Sequence, residues 1–299
     1  MAFLTVAVWG STFVFTKMLL QDGLSPAQIF TLRFLIAYVL LAVFSLFTRN
    51  HRWFAGSWAD EAMMVVLGIT GGSAYFMAEN AALLFTTATN TSLIVCSCPL
   101  FTMFLVAMVY RHSEHFSYTQ IAGSLTACAG MAVVVLNGHF VLHLSPLGDL
   151  LAFAACLSWA VYSLLMKRIS LRYSPLFITR KVFIYGLLTI LPYYLLQPRE
   201  AFIFTPSVLH LFSTQTLLNL LFLGCIASMA CFLTWSWVIW RLGAVLATNW
   251  VYFNPVTTIF FAWWLLDEQI TPWFLLGATL ILLGMFLSDR TMPQSAQGT

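Results

Sequence analysis

Glu79, Arg33 and Lys17 are among the few charged side chains inside otherwise apolar stretches of this chain. A charge is costly to place in a long apolar run, so such residues mark ion pairs, proton relays or ligand sites. Glu79 is the one carboxylate deep within such a run. It suits proton coupling or the binding of a substrate ammonium, with Arg33 close enough in the pattern to set its charge. The structural alternative is an ion-pair cluster in which Lys17, Arg33 and Glu79 fasten three helices together.

Around these charges the polar residues fall on helical faces. Thr5, Trp9, Thr12 and Thr16 are spaced by 4, 3 and 4 residues, one face of a helix. Further along, Ala155, Trp159, Tyr162 and Met166 repeat that spacing. Ser73, Met77 and Asn80 share a face, as do Asn90, Ile94 and Ser97, and Asn249, Tyr252 and Val256. Trp235 and Ser236 occupy the places that correspond to Glu79 and Asn80. Aromatic surface with a few neutral hydrogen-bonding groups suits an amphipathic, uncharged or zwitterionic small molecule. The same Ser, Thr and Asn residues also serve as packing contacts between membrane helices.

Other chemistries lack their residues. There is no H-E-x-x-H pattern, no P-loop and no second embedded carboxylate near Glu79, so neither an enzyme nor direct use of ATP is expected. The six cysteines (Cys96, Cys98, Cys128, Cys156, Cys225 and Cys231) form no C-x-x-C pair and read as buried apolar residues. His51, His112, His115, His139, His143 and His210 fall in connections or at helix ends, so no metal site and no cofactor are expected. A net charge of +3 carries no nucleic-acid signal.

The elements that position these residues follow from composition. The chain is 61% hydrophobic and 8% charged over 299 residues, whereas a soluble domain carries roughly 25% charged residues. Apolar stretches of about 20 residues cross a bilayer as helices, because open strands would leave backbone groups unpaired in lipid. Ten spans are predicted, at 2–20, 29–47, 62–84, 88–110, 119–137, 148–167, 178–196, 217–240, 244–266 and 273–288. The chain starts inside the first span with no basic region and no cleavage pattern, so no cleaved signal is expected, and a longer native N-terminus stays open. The longest connection, 197–216, holds a stretch, 201–212, that suits the membrane interface. Ser117 with Gln120 reads as a capping box, and Thr271-Pro272 as an N-cap followed by proline at the first helical position.

The second half repeats the first. Leu67, Gly68, Phe76, Ala88, Val95, Pro99 and Phe104 recur 156 residues later as Leu223, Gly224, Phe232, Ala244, Val251, Pro255 and Phe260. Glu114, Gly123, Gly130 and Met131 recur at an offset of 154 as Glu268, Gly277, Gly284 and Met285. Trp9 and Lys17 return at an offset of 150 as Trp159 and Lys167, and Ser25-Pro26 at 149 as Ser174-Pro175. Five spans per copy is an odd number, so the copies face opposite ways across the membrane. With the N-terminus in the cytoplasm, ten basic residues (Arg49, Arg52, Arg111, Lys167, Arg168, Arg172, Arg180, Lys181, Arg241 and Arg290) fall at cytoplasmic ends. Lys17, Arg33 and Arg199 fall toward the other side, so the positive-inside bias places both termini in the cytoplasm. In this topology Glu114 lies inside and Glu268 outside; the shared Glu-x-x-Ser/Thr pattern reads as a helix-start device or as a gate. Pro99 and Pro255 sit mid-span, where proline removes a backbone bond and kinks the helix. They are hinge candidates.

Two five-span repeats, Trp9-Gly10-Ser11, Arg33-Phe34, Trp159-Ala160-Val161-Tyr162, and the repeated prolines each followed by a glutamate together carry a resemblance. The chain resembles the EamA-type transporters of the drug/metabolite transporter superfamily over residues 2–288. The resemblance implies an all-α integral membrane protein in which ten transmembrane helices form two inverted five-helix repeats around a central cavity. It also implies movement of small metabolites, often amino acids, commonly outward. The first repeat is taken as 1–137, the second as 148–288, and 289–299 as a cytoplasmic tail. The leading reading is a secondary transporter in the bacterial inner membrane, working by alternating access. Its partners are a small-molecule substrate, protons if Glu79 couples, and the lipid bilayer; monomer and dimer stay open. Exchange of phosphorylated sugars or nucleotide-sugars is the alternative, although phosphate calls for inward-pointing Lys or Arg. A non-transporting receptor or structural protein is a remote one.

Overall fold

The computed structural model describes residues 1–47, 52–110, 117–136, 145–201, 213–266 and 272–289. Among them every regular element is helical. In the first half these are α1 (Ala2–Gln21), α2 (Pro26–Leu46), α3 (Trp58–Phe85), α4 (Ala88–Val95), α5 (Cys98–Val109) and α6 (Tyr118–Leu136). In the second half they are α7 (Pro146–Ile169), α8 (Pro175–Leu196), α9 (Thr214–Leu242), α10 (Ala244–Asn249), α11 (Asn254–Leu266) and α12 (Pro272–Asp289). Among the described residues, α1, α2, α3, α7, α8 and α9 are long and apolar enough to cross a membrane. The shorter apolar stretches Cys98–Val109 and Leu275–Gly284 lie in α5 and α12.

Polarity is arranged for lipid. Large apolar side chains such as Leu35, Val39, Val43 and Phe44 on α2 are exposed, while Thr5, Ser11, Thr16, Ser124 and Thr258 are buried. Backbone carbonyls and hydroxyls satisfy one another between helices, as where Thr258 donates to the Gly10 carbonyl at 2.8 Å. Helix starts follow the residues that cap them. Ser25 and Gln28 form a capping box on α2, Ser117 and Gln120 bond each other's backbone amides on α6, and Ser174 caps α8.

At both mid-span prolines the helix is interrupted. The stretch 88–110 is broken between Val95 and Cys98, with Pro99 in the first turn of α5. The stretch 244–266 is broken at the matching place by a 3-10 turn, Trp250–Phe253, just before Pro255. Proline cannot donate to the preceding turn, so the helix restarts there. The span 178–196 also bends, at Ile190, ahead of Pro192. In α3 and α9, π-helical segments that no residue pattern announces occupy Ile69–Ser73 and Phe222–Ala230. The interfacial stretch 202–212, Glu114, Glu268, Thr271, all six histidines and the tail after Asp289 lie outside the described residues.

The two halves contact each other reciprocally. The α3–α8 contact is matched by α9–α2, the α3–α7 contact by α9–α1, and the α5–α7 contact by α11–α1, while α6 pairs with α12. Glycines allow the closest approaches. A Cβ on Gly130 would fall 2.7 Å from the Ile281 backbone nitrogen, and one on its copy Gly284 would fall 2.8 Å from the Ala127 Cα. Ala127 and Ile281 are themselves matched at the offset of 154. Likewise Gly68 abuts Tyr185, and its copy Gly224 abuts Ile36, the residue 149 before Tyr185.

Candidate functional site

A cavity opens where these reciprocal contacts converge. Trp9, Thr12 and Phe13 reach it from α1, Arg33 from α2, and Tyr75, Phe76 and Glu79 from α3. Val95 and Cys98 come from the two sides of the α4–α5 break, Trp159 from α7 and Phe232 from α9, while Val251 comes from the 3-10 turn of the second break and Asn254 from the first position of α11. The broken helices therefore bring their ends to the cavity wall.

Most of that wall is duplicated. Trp9 and Trp159 are copies of each other, as are Phe76 and Phe232, Val95 and Val251, and Cys98 and Asn254. The aromatic rings interlock: Trp9 meets Phe232 with centroids 5.5 Å apart, and Tyr75 meets Trp159 at 5.0 Å. Trp9 also donates from Nε1 to the Ala227 carbonyl at 2.9 Å, which fixes its ring.

The charges are not duplicated. Arg33 is 1% exposed, and the residue 149 later is the buried Val182. Its guanidinium carbon stands 4.3 Å from the centre of the Phe76 ring, and its Nε donates to the Ser228 hydroxyl at 2.9 Å. Glu79 is 5% exposed, and its counterpart is Trp235. The Glu79 Oε2 is buried without a hydrogen-bond partner, while Arg33 acts on the carboxylate through its charge and Tyr75 through a hydrogen bond from its hydroxyl. No ion pair joins Arg33 to Glu79 among the described residues. The expected three-residue ion-pair cluster is thus not what holds these helices. Lys17 instead donates to the carbonyls of Leu83 and Thr86, at the C-terminal end of α3, the latter at 3.0 Å.

Of the residues expected at a substrate cavity, Trp9, Thr12 and Trp159 line it, together with Arg33 and Glu79. The others stand behind the wall. Ser73 bonds Thr189 at 2.8 Å, and Asn80 donates to the Pro26 carbonyl at 3.1 Å. Tyr162 packs on Trp159 with centroids 4.9 Å apart, and Trp235 on Trp9 at 5.0 Å. Asn249 and Tyr252 are buried beside the 3-10 turn. Asn90 lies in α4, and its side chain is outside the described residues. Pro99 and Pro255 each follow a lining residue, Cys98 and Asn254. Phe13, Tyr75, Phe76, Val95, Cys98, Phe232, Val251 and Asn254 were not expected here. A signal for several of them existed, since Phe76, Val95 and their copies belong to the repeat itself.

At the start of α3 a second polar cluster joins the halves. Lys181 and the Tyr185 hydroxyl both donate to the Glu61 carboxylate, and the Ala55 amide donates to its other oxygen at 2.7 Å. Beside it Arg172 and the Tyr173 hydroxyl each donate to Asp60 at 2.9 Å. Arg180, expected with Lys181 at a cytoplasmic end, is buried: its guanidinium lies 4.3 Å from the Trp53 ring centre and donates to the Arg52 carbonyl. At the position matching Asp60, Thr216 donates to Asp22 at 2.7 Å.

Comparison with known proteins agrees with this architecture. The model of the EamA-like transporter family matches twice, over residues 1–136 and 146–288. A protein of Salmonella typhimurium named a probable amino-acid metabolite efflux pump is 30% identical, covering 96% of this chain and 93% of its own length. A protein of Streptantibioticus cattleyicolor named a probable terminal-alkyne amino-acid exporter is 28% identical over 96% of this chain and 91% of its own. A crystal structure with a TM-score of 0.72 at 20% identity covers 96% of this chain and 94% of that one, a likeness of fold alone.

Proposed function

Because the chain belongs to the EamA-like transporter family and is a multi-pass membrane transporter, we propose that it is a secondary transporter exporting small metabolites such as amino acids by alternating access. The observation that carries this reading is the cavity between the halves, walled by matched residues of both copies and charged by one of them alone. In this reading the ten spans form two inverted repeats, 1–137 and 148–288, with both termini in the cytoplasm of a bacterial cell and the protein in its inner membrane.

Alternating access needs two arrangements of similar energy, and two copies of one unit exchanging roles supply them. The halves rock about the cavity, and the breaks before Pro99 and Pro255 serve as hinges. The Glu61–Lys181–Tyr185 cluster, which ties α3 to α8, holds one end together in one of the two states. An aromatic wall with few polar groups takes the apolar part of a small substrate out of water. Names carried by relatives, an amino-acid metabolite efflux pump and an amino-acid exporter, support the substrate class. The presence of Glu79 beside a lone arginine opposes phosphorylated sugars, whose charge the carboxylate would repel.

The test is flux in proteoliposomes holding the purified protein, with a panel of amino acids, with and without a proton gradient. Saturable movement of at least one amino acid is expected. Absence of flux for every amino acid from folded protein would overturn the substrate class and point to phosphorylated substrates.

A further inference from the structure

Arg33 and Glu79 are held at the same cavity, act on each other electrostatically, and yet form no ion pair among the described residues. That separation is imposed by packing. The Arg33 side chain is fixed over Phe76 and, through its Nε, on the Ser228 hydroxyl. Glu79 keeps Oε2 buried and unpartnered. A third group joins them: Asn254, 5% exposed, lines the cavity with its Oδ1 buried and unpartnered. Leaving buried polar groups unpaired is costly, so a site with several of them is arranged for a ligand that pairs them.

Resting on the amino-acid reading above, we infer that Arg33, Glu79 and Asn254 form a zwitterion-reading subsite, in which Arg33 takes a free carboxylate and Glu79 with Asn254 takes the adjacent ammonium. A ligand carrying both charges is neutral overall and pairs both side chains at once. A ligand with one charge leaves the other side chain buried and uncompensated. Charge-assisted bonds to a guanidinium and a carboxylate are the stronger class of hydrogen bond. The duplicated aromatic wall then accepts the apolar remainder of the ligand, and the unduplicated groups read its head. Asn254 differs from its copy Cys98 in this respect, because only the amide offers both an acceptor and donors.

The experiment uses the full-length protein in lipid nanodiscs and three probes that share one side chain: leucine, leucine amide, which keeps only the ammonium, and N-acetylleucine, which keeps only the carboxylate. Equilibrium binding to wild type is expected to favour leucine by about tenfold or more over each analogue. Glu79→Gln is expected to abolish the preference over N-acetylleucine, and Arg33→Gln the preference over leucine amide. Asn254→Val is expected to weaken leucine while leaving N-acetylleucine unchanged. Equal binding of the three probes to wild type would overturn the inference without any variant. So would variants that stay folded and keep both preferences. In either case leucine flux into proteoliposomes would leave the transporter reading standing, whereas failure of every amino acid to move would remove that reading too.

Discussion

Trp9 touches Trp159, its own copy, edge to face, with ring centroids 5.3 Å apart and planes at 89°. Such a pair lies where the two halves meet. Phe76 and Phe232 do the same at 6.1 Å. The aromatic wall of the cavity is therefore shared by the halves. Arg33 and Glu79 give this symmetric wall a polar direction.

The two tryptophans should respond alike but unequally. Trp9→Ala and Trp159→Ala each remove a large buried side chain, a loss of about 3–5 kcal/mol. Trp9 also donates to the Ala227 carbonyl, so its replacement is expected to cost about 1 kcal/mol more. Thermal unfolding of the two variants in one detergent checks the order.

The α6–α12 contact leaves no room for a methyl group. Gly130→Ala and Gly284→Ala are each expected to destabilise the protein by about 1–3 kcal/mol, the range for overpacking. Both act on one interface, so the double variant should lose less than the sum, because the first substitution has already parted the helices. Melting temperatures of the three variants test this.

Lys181→Met leaves Glu61 with its tyrosine and backbone partners but no cation. Both side chains of that pair are largely buried, at 6% and 12% exposed, and a loss of about 3 kcal/mol is expected. Arg172→Met removes a cation that is 52% exposed, and a much smaller change is expected. Comparing the unfolding of the two in low and high salt separates them, since only the exposed pair is screened.

Pro99→Ala and Pro255→Ala restore a backbone donor at the helix breaks. The variants are expected to fold and to lose maximal flux several-fold, because a continuous helix no longer yields at that point. Full flux in both would show the prolines to be packing features alone.

Proton coupling is expected to run through Glu79, which faces Arg33 and Tyr75. A substrate ammonium and a proton compete for one carboxylate, so binding of either displaces the other. Wild-type flux should respond to an imposed proton gradient and Glu79→Gln should not. A gradient response that survives in Glu79→Gln would place coupling elsewhere.

Much of this molecule was legible in its residues. Period and composition make the spans, because a chain this apolar pairs its backbone within helices when it enters lipid. Ser117 with Gln120 announced a helix start, and Pro99 and Pro255 announced two breaks, since capping and proline chemistry act within one turn. Trp9, Thr12, Trp159, Arg33 and Glu79 were also traceable, as polar or aromatic groups on inward faces.

Tertiary structure decided the rest. Whether Lys17 pairs with Glu79 depends on reach across three helices, and the carbonyls of Leu83 and Thr86 lie nearer. The copies Phe76 and Phe232, or Cys98 and Asn254, differ in no local signal from repeated positions that only pack. They reach the cavity because the broken helices and the reciprocal α3–α7 and α9–α1 contacts turn them inward. Local periodicity sets which face of a helix a residue occupies, but only packing of one copy against the other sets what that face meets.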